Sequence, residues 1–323
     1  MAIKLCGTGS CLPKRCVTND DLSKVMDTSD EWIKSRTGIE TRHLVTEETT
    51  TFLSTEAAKS ALSEAELAPE EIDLILAATI TPDHVIPSLA CEVQRELGAV
   101  NAVAFDICAA CSGFLFALNT AYAYLMSGQY KNALVIGAET LSKIMDWEDR
   151  STCVLFGDGA GAAVIKNEPG EAGIRSLVQG SDGARGMALT CDGRPIANPY
   201  AKNTKDKPAY VHMDGQAVYK FAVRTVPEVI SQAVEKAGMQ LDEVDHFVLH
   251  QANIRIIESV AKRLHQPIEK FPANLQKCGN ISAASVPILL DDLNKSGRLK
   301  KGDTIVLAGF GGGLTWGAAV LTW

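Results

Sequence analysis

The chemistry-bearing residue types of this chain gather in three short stretches. Cys108 and Cys111 stand three apart in DICAACSGF, His250 follows an apolar run in VLHQANIRII, and Asn280 lies in KCGNISAAS. A Cys-x-x-Cys fits three chemistries: a dithiol redox pair, half of a metal site, or one nucleophile beside a bystander. Zinc needs a second ligand pair. The chain has no other Cys-x-x-Cys, and His246 and His250, although four apart, sit in HFVLH, which reads as a strand. Thioredoxin-like pairs usually enclose an aromatic residue or Gly-Pro, whereas Ala109 and Ala110 stand here. A nucleophile needs a proton partner. His250 supplies a proton acceptor or donor, and Asn280 an amide hydrogen-bond donor. Cys111, His250 and Asn280 are therefore the candidate catalytic set, with no metal and no permanently bound cofactor expected.

The flanking elements explain the choice between the two cysteines. NAVAFDI, residues 101–107, reads as a buried strand, and SGFLFALNTAYAYLMSG, 112–128, as a helix ending at Gly128. Cys111 then lies at the strand-to-helix turn, where unpaired N–H groups and the helix dipole favour a thiolate. Its own N–H can face the oxygen of a bound carbonyl. Cys108 lies a turn earlier without that advantage and is expected to be the bystander.

The chain also states its pattern twice. AAKSALSEAELAPEEIDLILAAT (57–79) and VISQAVEKAGMQLDEVDHFVLHQ (229–251) both read as helix, turn and apolar strand. Asp73 and Asp245 set an offset of 172 positions, which also pairs Ala61 with Ala233, Glu71 with Glu243 and Gly137 with Gly309. Both halves close on Gly-Ala-Ala-Val, at Gly161 and Gly317. A nearly constant offset over several elements indicates duplication, and alternating helices and β-branched strands make each half an α/β unit. The expected site is the seam between the halves. The same offset places Ser282–Ser285, at the head of the mate helix, opposite Cys111.

Composition narrows the class. The 323 residues suggest about two domains. With 31 Lys and Arg against 39 Asp and Glu, the net charge is −8, so a nucleic-acid partner is not expected. The opening MAIKLCGTGSCLP lacks the apolar run of a signal peptide. The most hydrophobic stretch, 99–126, is interrupted by Asp106, Ser112 and Asn119, which argues against a spanning helix. Nine cysteines without a framework suggest free thiols in a reducing compartment, so a cytoplasmic protein.

Papain-like proteases also use Cys, His and Asn in this order, with the partners about 130–150 residues on, and His250 follows Cys111 by 139. Ser112 in place of an aromatic residue and the duplication speak against that hydrolase. Read together, DTSDEWIKSRTGIETRH, ACSGF, FGDGAGAAV, HQANIRII, GNISAASVP and AGFGGGLTWGAA resemble the thiolase-fold condensing enzymes of the β-ketoacyl-acyl-carrier-protein synthase III family over essentially the whole length. The resemblance implies an α/β thiolase-like fold, two duplicated halves in a layered αβαβα arrangement. Residues 1–170 would carry the nucleophile and 171–323 the His and Asn. It implies acyl transfer from acyl-coenzyme A to Cys111, then decarboxylative condensation with malonyl-acyl-carrier protein in bacterial fatty acid initiation, with His250 and Asn280 stabilising the enolate oxygen. The glycine loop has no thiol, as a thiolase would need, and the second partner is Asn280 rather than a second histidine. Both departures point to the initiating type; a related enzyme of a polyketide or quinolone pathway is the alternative.

The resemblance assigns further roles. Gly312 would offer an oxyanion N–H and Phe310 an apolar neighbour for the malonyl carboxylate. Thr28, Trp32, Arg36, Arg150 and Asn253 match coenzyme A contacts, while Gln216 stands where a relative has Asn. Thr28-Ser-Asp-Glu31 also has the pattern of a capping box, and Gly38 stops the helix that follows. Trp32 and Arg36, four apart, share a face of that helix. Arg255, Lys262 and Arg263 form a basic ridge on an acidic chain, suited to steering an acidic carrier protein. Ile86 stands where some relatives have Phe. In a family homodimer that position floors the partner's acyl pocket, so an aliphatic side chain there implies primers longer than acetyl.

Overall fold

The computed structural model describes residues 2–170, 173–196, 198–200 and 209–323. Its strands are β1 (Ala2–Cys11), β2 (Arg15–Thr18), β3 (Thr41–Leu44), β4 (Leu74–Ala78), β5 (Val103–Ile107), β6 (Asn132–Thr140), β7 (Asp158–Glu168), β8 (Ile174–Ser181), β9 (Leu189–Cys191), β10 (Val211–Met213), β11 (His246–Leu249), β12 (Thr304–Gly311) and β13 (Thr315–Thr322). The helices are α1 (Asn19–Leu22), α2 (Asp30–Thr37), α3 (Thr50–Glu64), α4 (Leu89–Leu97), α5 (Gly113–Met126), α6 (Gly215–Lys236), α7 (Ile254–Arg263), α8 (Leu275–Cys278) and α9 (Ser285–Lys295).

One sheet runs β1-β7-β6-β4-β5 and the other β8-β13-β12-β11. Pairing directions agree strand for strand: β1/β7 and β8/β13 are antiparallel, as are β7/β6 and β13/β12, while β6/β4 and β12/β11 are parallel. The period-two alternation of β4 shows how the layers form. Leu74 and Leu76 face a middle layer built from Leu118 of α5 and Leu289 of α9, which also meets Val248 and Leu307 of the second sheet. Ile75 and Ala77 face the opposite way, onto Leu53 and Ala61 of α3 and Val93 of α4. Val226 and Ile230 of α6, with Ile257 and Val260 of α7, cover the second sheet's outer face at Phe247 and Val306. The order is helix, sheet, helix, sheet, helix. Among the described residues no helix is long and apolar enough to cross a membrane.

The duplication extends to single backbone torsions. Ala110 and Ser282, 172 positions apart, both hold positive φ, 45° and 43°, and each is the first residue of a one-turn 3-10 helix leading into α5 or α9. Side chains pay for such torsions sterically, so the same turn is built twice for the same packing reason. Gly137 on β6 has no room for a side chain because the carbonyl of Ala283, in the second turn, lies against it.

Two local expectations differ from the structure. The strand at 101–107 is not buried: β5 is a sheet edge and Val103 is 48% exposed. An apolar run does not distinguish a central strand from an edge. The helix cap in TSDEW is Ser29, whose hydroxyl accepts the Trp32 N–H at 3.1 Å, so Thr28 lies one residue outside and makes no capping box.

Candidate functional site

Cys111 sits at the middle of the first turn, Ala110–Ser112, with β12 laid directly against it. A Cβ on Gly311 would come within 2.6 Å of the Cys111 nitrogen, so this approach needs glycine. The Ser112 and Thr315 hydroxyls, 2.7 Å apart, tie the turn to the strand that follows the glycine loop. From the second half, His250 comes directly off β11, its backbone N–H donating to Ala308 O at 2.8 Å. Asn280 is held by the backbone of Leu155 and Gly157, and its Oδ1 accepts the Ser282 N–H at 2.9 Å. With the oxygen occupied, the amide NH2 is the half of the side chain left to donate.

These three side chains line one cavity of about 250 Å3, together with Trp32 and Arg36 at the other end. A second cavity, about 530 Å3, reaches Cys111 from the opposite side past Cys108, Cys191 and Gly312. The expected trio is therefore brought together. Gly312 lines the second space, whereas Gly311 is the glycine that touches the nucleophile's turn.

Burial changes the expected proton chemistry. It pushes the Cys111 thiol up to about 11, with the nearby Glu139 carboxyl raising it further and the Ser282 side chain and the residue's own N–H opposing the rise. The helix-end advantage is outweighed, because removing a thiolate from water costs more than a helix terminus returns. The thiol is neutral at pH 7. His250, 2% exposed, is pushed down to about 3 by burial. Its ring stands edge-on to Phe310, centroids 5.3 Å apart, and Nδ1 has no hydrogen-bond partner among the described residues. His250 is thus a neutral imidazole rather than the charged half of a thiolate–imidazolium pair. Two neutral donors, imidazole and amide, suit an oxygen that gains negative charge.

Glu139 and Ser282 were not singled out by spacing as working residues. Glu139, next to last on β6, is fully buried, and Ser282 Oγ donates to its Oε1 at 3.0 Å. The available signal was a lone acid near the end of the apolar strand NALVIGAET and a serine two places after Asn280.

At the cavity mouth, the Arg36 and Arg150 guanidinium carbons lie 4.6 and 5.2 Å from the Trp32 ring centroid. Arg150 also bonds the backbone and carboxylate of Asp27. Asn253 lines the cavity, but its amide caps α7 at Arg255 N (2.9 Å) and bonds Arg36 O (3.0 Å). Thr28 Oγ1 is buried without a partner among the described residues. Gln216 lies in the first turn of α6, its N–H bonded to Asp214, and is not among the residues lining the cavity. The basic ridge is less uniform than expected: Arg255 donates to Ser35 O at 2.6 Å, and Glu258 lies on the same face of α7 between it and Lys262. Lys262 and Arg263 are exposed. Ile86 is 85% exposed and lines neither cavity at Cys111.

Comparison with known proteins follows the same pattern. Residues 105–183 match the 3-oxoacyl-[acyl-carrier-protein] synthase III model, and 234–323 its C-terminal counterpart. The chain is 49% identical over 322 residues to a beta-ketoacyl-[acyl-carrier-protein] synthase III of Clostridium acetobutylicum, covering 100% of this chain and 99% of that protein. It superposes with a TM-score of 0.93 on 3-oxoacyl-[acyl-carrier-protein] synthase III from Aquifex aeolicus, 48% identical, with full coverage of both chains. The Thermus thermophilus structure, 41% identical, gives the same score over 99% of each. The layered α/β fold is accordingly thiolase-like. Two family models, matches across the full length and a thiol, imidazole and amide converging on one cavity agree: this chain belongs to the 3-oxoacyl-[acyl-carrier-protein] synthase III family.

Proposed function

We propose that this protein condenses an acyl-coenzyme A primer with malonyl-acyl-carrier protein, releasing carbon dioxide and forming β-ketoacyl-acyl-carrier protein through an acyl-Cys111 intermediate. The setting is initiation of bacterial type II fatty acid biosynthesis in the cytoplasm. The observation that carries the reading is the cavity from Trp32 and Arg36 to Cys111, His250 and Asn280. It gives a carrier arm a route from a cationic, aromatic mouth to a thiol flanked by two neutral donors.

The steps follow from the groups present. The thioester carbonyl enters beside Cys111, Sγ attacks as its proton leaves, and the bond from carbon to the coenzyme A sulfur breaks, so that coenzyme A departs as the protonated thiol. The acyl chain then extends into the second cavity. Malonyl-acyl-carrier protein enters by the same mouth, and its thioester oxygen meets the His250 and Asn280 donors. Decarboxylation places negative charge on that oxygen, where preorganised donors act most strongly. Phe310, packed on His250, makes the carboxylate's neighbourhood apolar and favours loss of charge as a neutral gas. The carbanion then attacks acyl-Cys111, aided by the N–H of Gly312.

In this reading Thr28, Trp32, Arg36, Arg150 and Asn253 bind coenzyme A, Asn253 chiefly by holding the mouth together. Lys262 and Arg263, with Arg255 bracing α2, receive the acidic carrier protein. Residues 1–170 and 171–323 act as the two halves. A homodimer would cover the exposed Ile86 and let it floor the partner's acyl cavity, admitting branched or medium chains.

Intact mass after exposure to a panel of acyl-coenzyme A esters, then after malonyl-acyl-carrier protein, tests the proposal. The expected result is an adduct on Cys111 that disappears as β-ketoacyl carrier forms. A folded protein that takes up no acyl group from any ester overturns it. Acetyl-coenzyme A far outperforming isobutyryl- and hexanoyl-coenzyme A would overturn the role given to Ile86.

A further inference from the structure

Behind the cavity wall that carries Asn280 lies a buried cation that the steps above leave unused. Arg42, the second residue of β3, is 1% exposed and forms no ion pair among the described residues. Burial pushes its guanidinium down to about 10, so it stays charged at pH 7. Its partners are neutral oxygens. Nη1 donates to Asn19 Oδ1 at 2.7 Å and, more weakly, to Val17 O at 3.5 Å. Nη2 donates to Val154 O at 2.8 Å, and Nε has no partner among the described residues. A cation held in an interior without a counter-charge is costly, and an apolar side chain of similar length would fill the space without that penalty. What an apolar side chain lacks is the planar fork, which holds two acceptors in a fixed relation.

The two acceptors belong to different parts of the molecule. Asn19 is itself fixed: its amide donates to Ile39 O and to Asp30 Oδ1, in the first turn of α2, both at 2.8 Å. Nη1 therefore rests on the frame around α1 and α2. Nη2 reaches the segment 154–157, and that segment clamps Asn280. The Asn280 N–H donates to Leu155 O at 2.9 Å, the Gly157 N–H donates to Asn280 O at 3.0 Å, and Phe156 bridges Asn280 in parallel. Val154, Leu155 and Phe156 line the cavity beside Asn280. The base of the Arg42 side chain touches both sides of the clamp, since a Cβ on Gly157 or Gly279 would lie 3.3 Å from its Cβ. The residues before it tie down the same loop: the Glu40 N–H donates to Gln276 O at 2.9 Å and Thr41 Oγ1 to Lys277 O at 2.8 Å.

We propose that Arg42 is a positioning residue for the condensation step, holding the segment 154–157 so that Asn280 presents its amide where the malonyl thioester oxygen gains charge. The proposal rests on the condensation reading, in which that oxygen meets Asn280. A donor stabilises developing charge only when it is already aimed at it, and a displacement of about 1 Å at a positioned group can cost about 100-fold in rate. Cys111 takes its place from other contacts, the Ala110–Ser112 turn, the close approach of Gly311 and the bond between Ser112 and Thr315. Acylation and condensation should therefore respond differently to the loss of Arg42.

The test separates the two steps in the wild type, Arg42→Met, Arg42→Lys, Asn280→Ala and the double variant Arg42→Met with Asn280→Ala. Single-turnover acylation of Cys111 by acyl-coenzyme A is followed by intact mass, and then discharge of the preformed acyl-enzyme by malonyl-acyl-carrier protein. Arg42→Met is expected to slow discharge by about 10- to 100-fold with acylation little changed. Arg42→Lys keeps the cation and one donor and should recover part of the discharge rate; if Arg42→Met does not fold, a slower discharge with normal acylation in Arg42→Lys is the supporting result. The double variant should discharge no more slowly than Asn280→Ala, because the group being positioned is already gone. Discharge at the wild-type rate in the folded Arg42 variants overturns the proposal alone. Equal slowing of both steps also overturns it, marking Arg42 as a general brace, and so do additive losses in the double variant. Wild-type protein that never acylates overturns the condensation reading together with the role of Arg42.

Discussion

The two turns at the head of α5 and α9 share a backbone and divide the chemistry. Ala110–Ser112 and Ser282–Ala284 begin with strained residues of almost equal φ, and both lead into helix N-termini at the seam. The first turn carries a thiol at its centre; the second carries Ala283 there and places its polar groups at Asn280 and Ser282. A nucleophile and its electrostatic support make opposite demands on a site. The nucleophile must meet the substrate carbon, whereas donors must stand where the oxygen will be. In the proposed function, a duplicated turn supplies two aligned frames, one for the thiol and one for the donors.

The largest effect expected from breaking this division is at the first turn. Cys111→Ala should abolish acyl uptake in intact mass, leaving Cys108, Cys191 and the other thiols unmodified. Removing a donor comes next. Asn280→Ala should lower condensation by about 100- to 1,000-fold while the acyl-enzyme still forms, a split visible as persistent adduct after malonyl carrier is added.

The buried carboxyl that the second turn touches also has a stability signature. Folded Glu139 titrates near 7 rather than 4.5, so between those values the folded state holds a proton that the unfolded chain has released. Stability from this group is present below about 4.5 and is lost as pH rises through 7. At about 1.4 kcal/mol per pKa unit, the loss is on the order of 1–3 kcal/mol. Urea titrations at pH 5 and pH 8 should show that difference shrinking in Glu139→Gln; an unchanged pH dependence would contradict the buried-carboxyl account.

Smaller effects sharpen the comparison. Ala110→Gly removes a left-handed alanine, whose cost of about 1–2 kcal/mol outweighs the added freedom of the unfolded chain, about 0.4–1 kcal/mol. A stabilisation of up to about 1 kcal/mol is expected, with acylation retained. Cys108→Ala is expected to leave activity unchanged, and loss of activity in that folded variant would revive a dithiol role.

Much of this arrangement was legible in residue spacing. The 172-position offset related both turns, and the thiol, imidazole and amide chosen from spacing are found lining one cavity. Regularities that a local segment must satisfy by itself survive in this way: helix stops such as Gly38, strand alternation, and glycine where backbones meet. Other features were not legible because they depend on neighbours remote in the chain. An apolar run marked β5 as a strand but carried no sign that it is an edge. TSDE read as a capping box on Thr28, whereas Ser29 caps the helix. The basic ridge was read without the Ser35 carbonyl that engages Arg255.

The amino-acid sequence alone carried the repeated α/β pattern and pointed to Cys111, His250 and Asn280 as candidates, because repeated patterning and residue chemistry are written along the chain, and the fold brings the three to one cavity. Tertiary structure alone decided their protonation. Desolvation, the Phe310 ring beside His250 and the Ser282 hydroxyl on the buried Glu139 arise only when distant segments exclude water together. The sign of the cysteine shift shows the difference: a helix terminus by itself argues for a thiolate, and the folded interior keeps the thiol neutral.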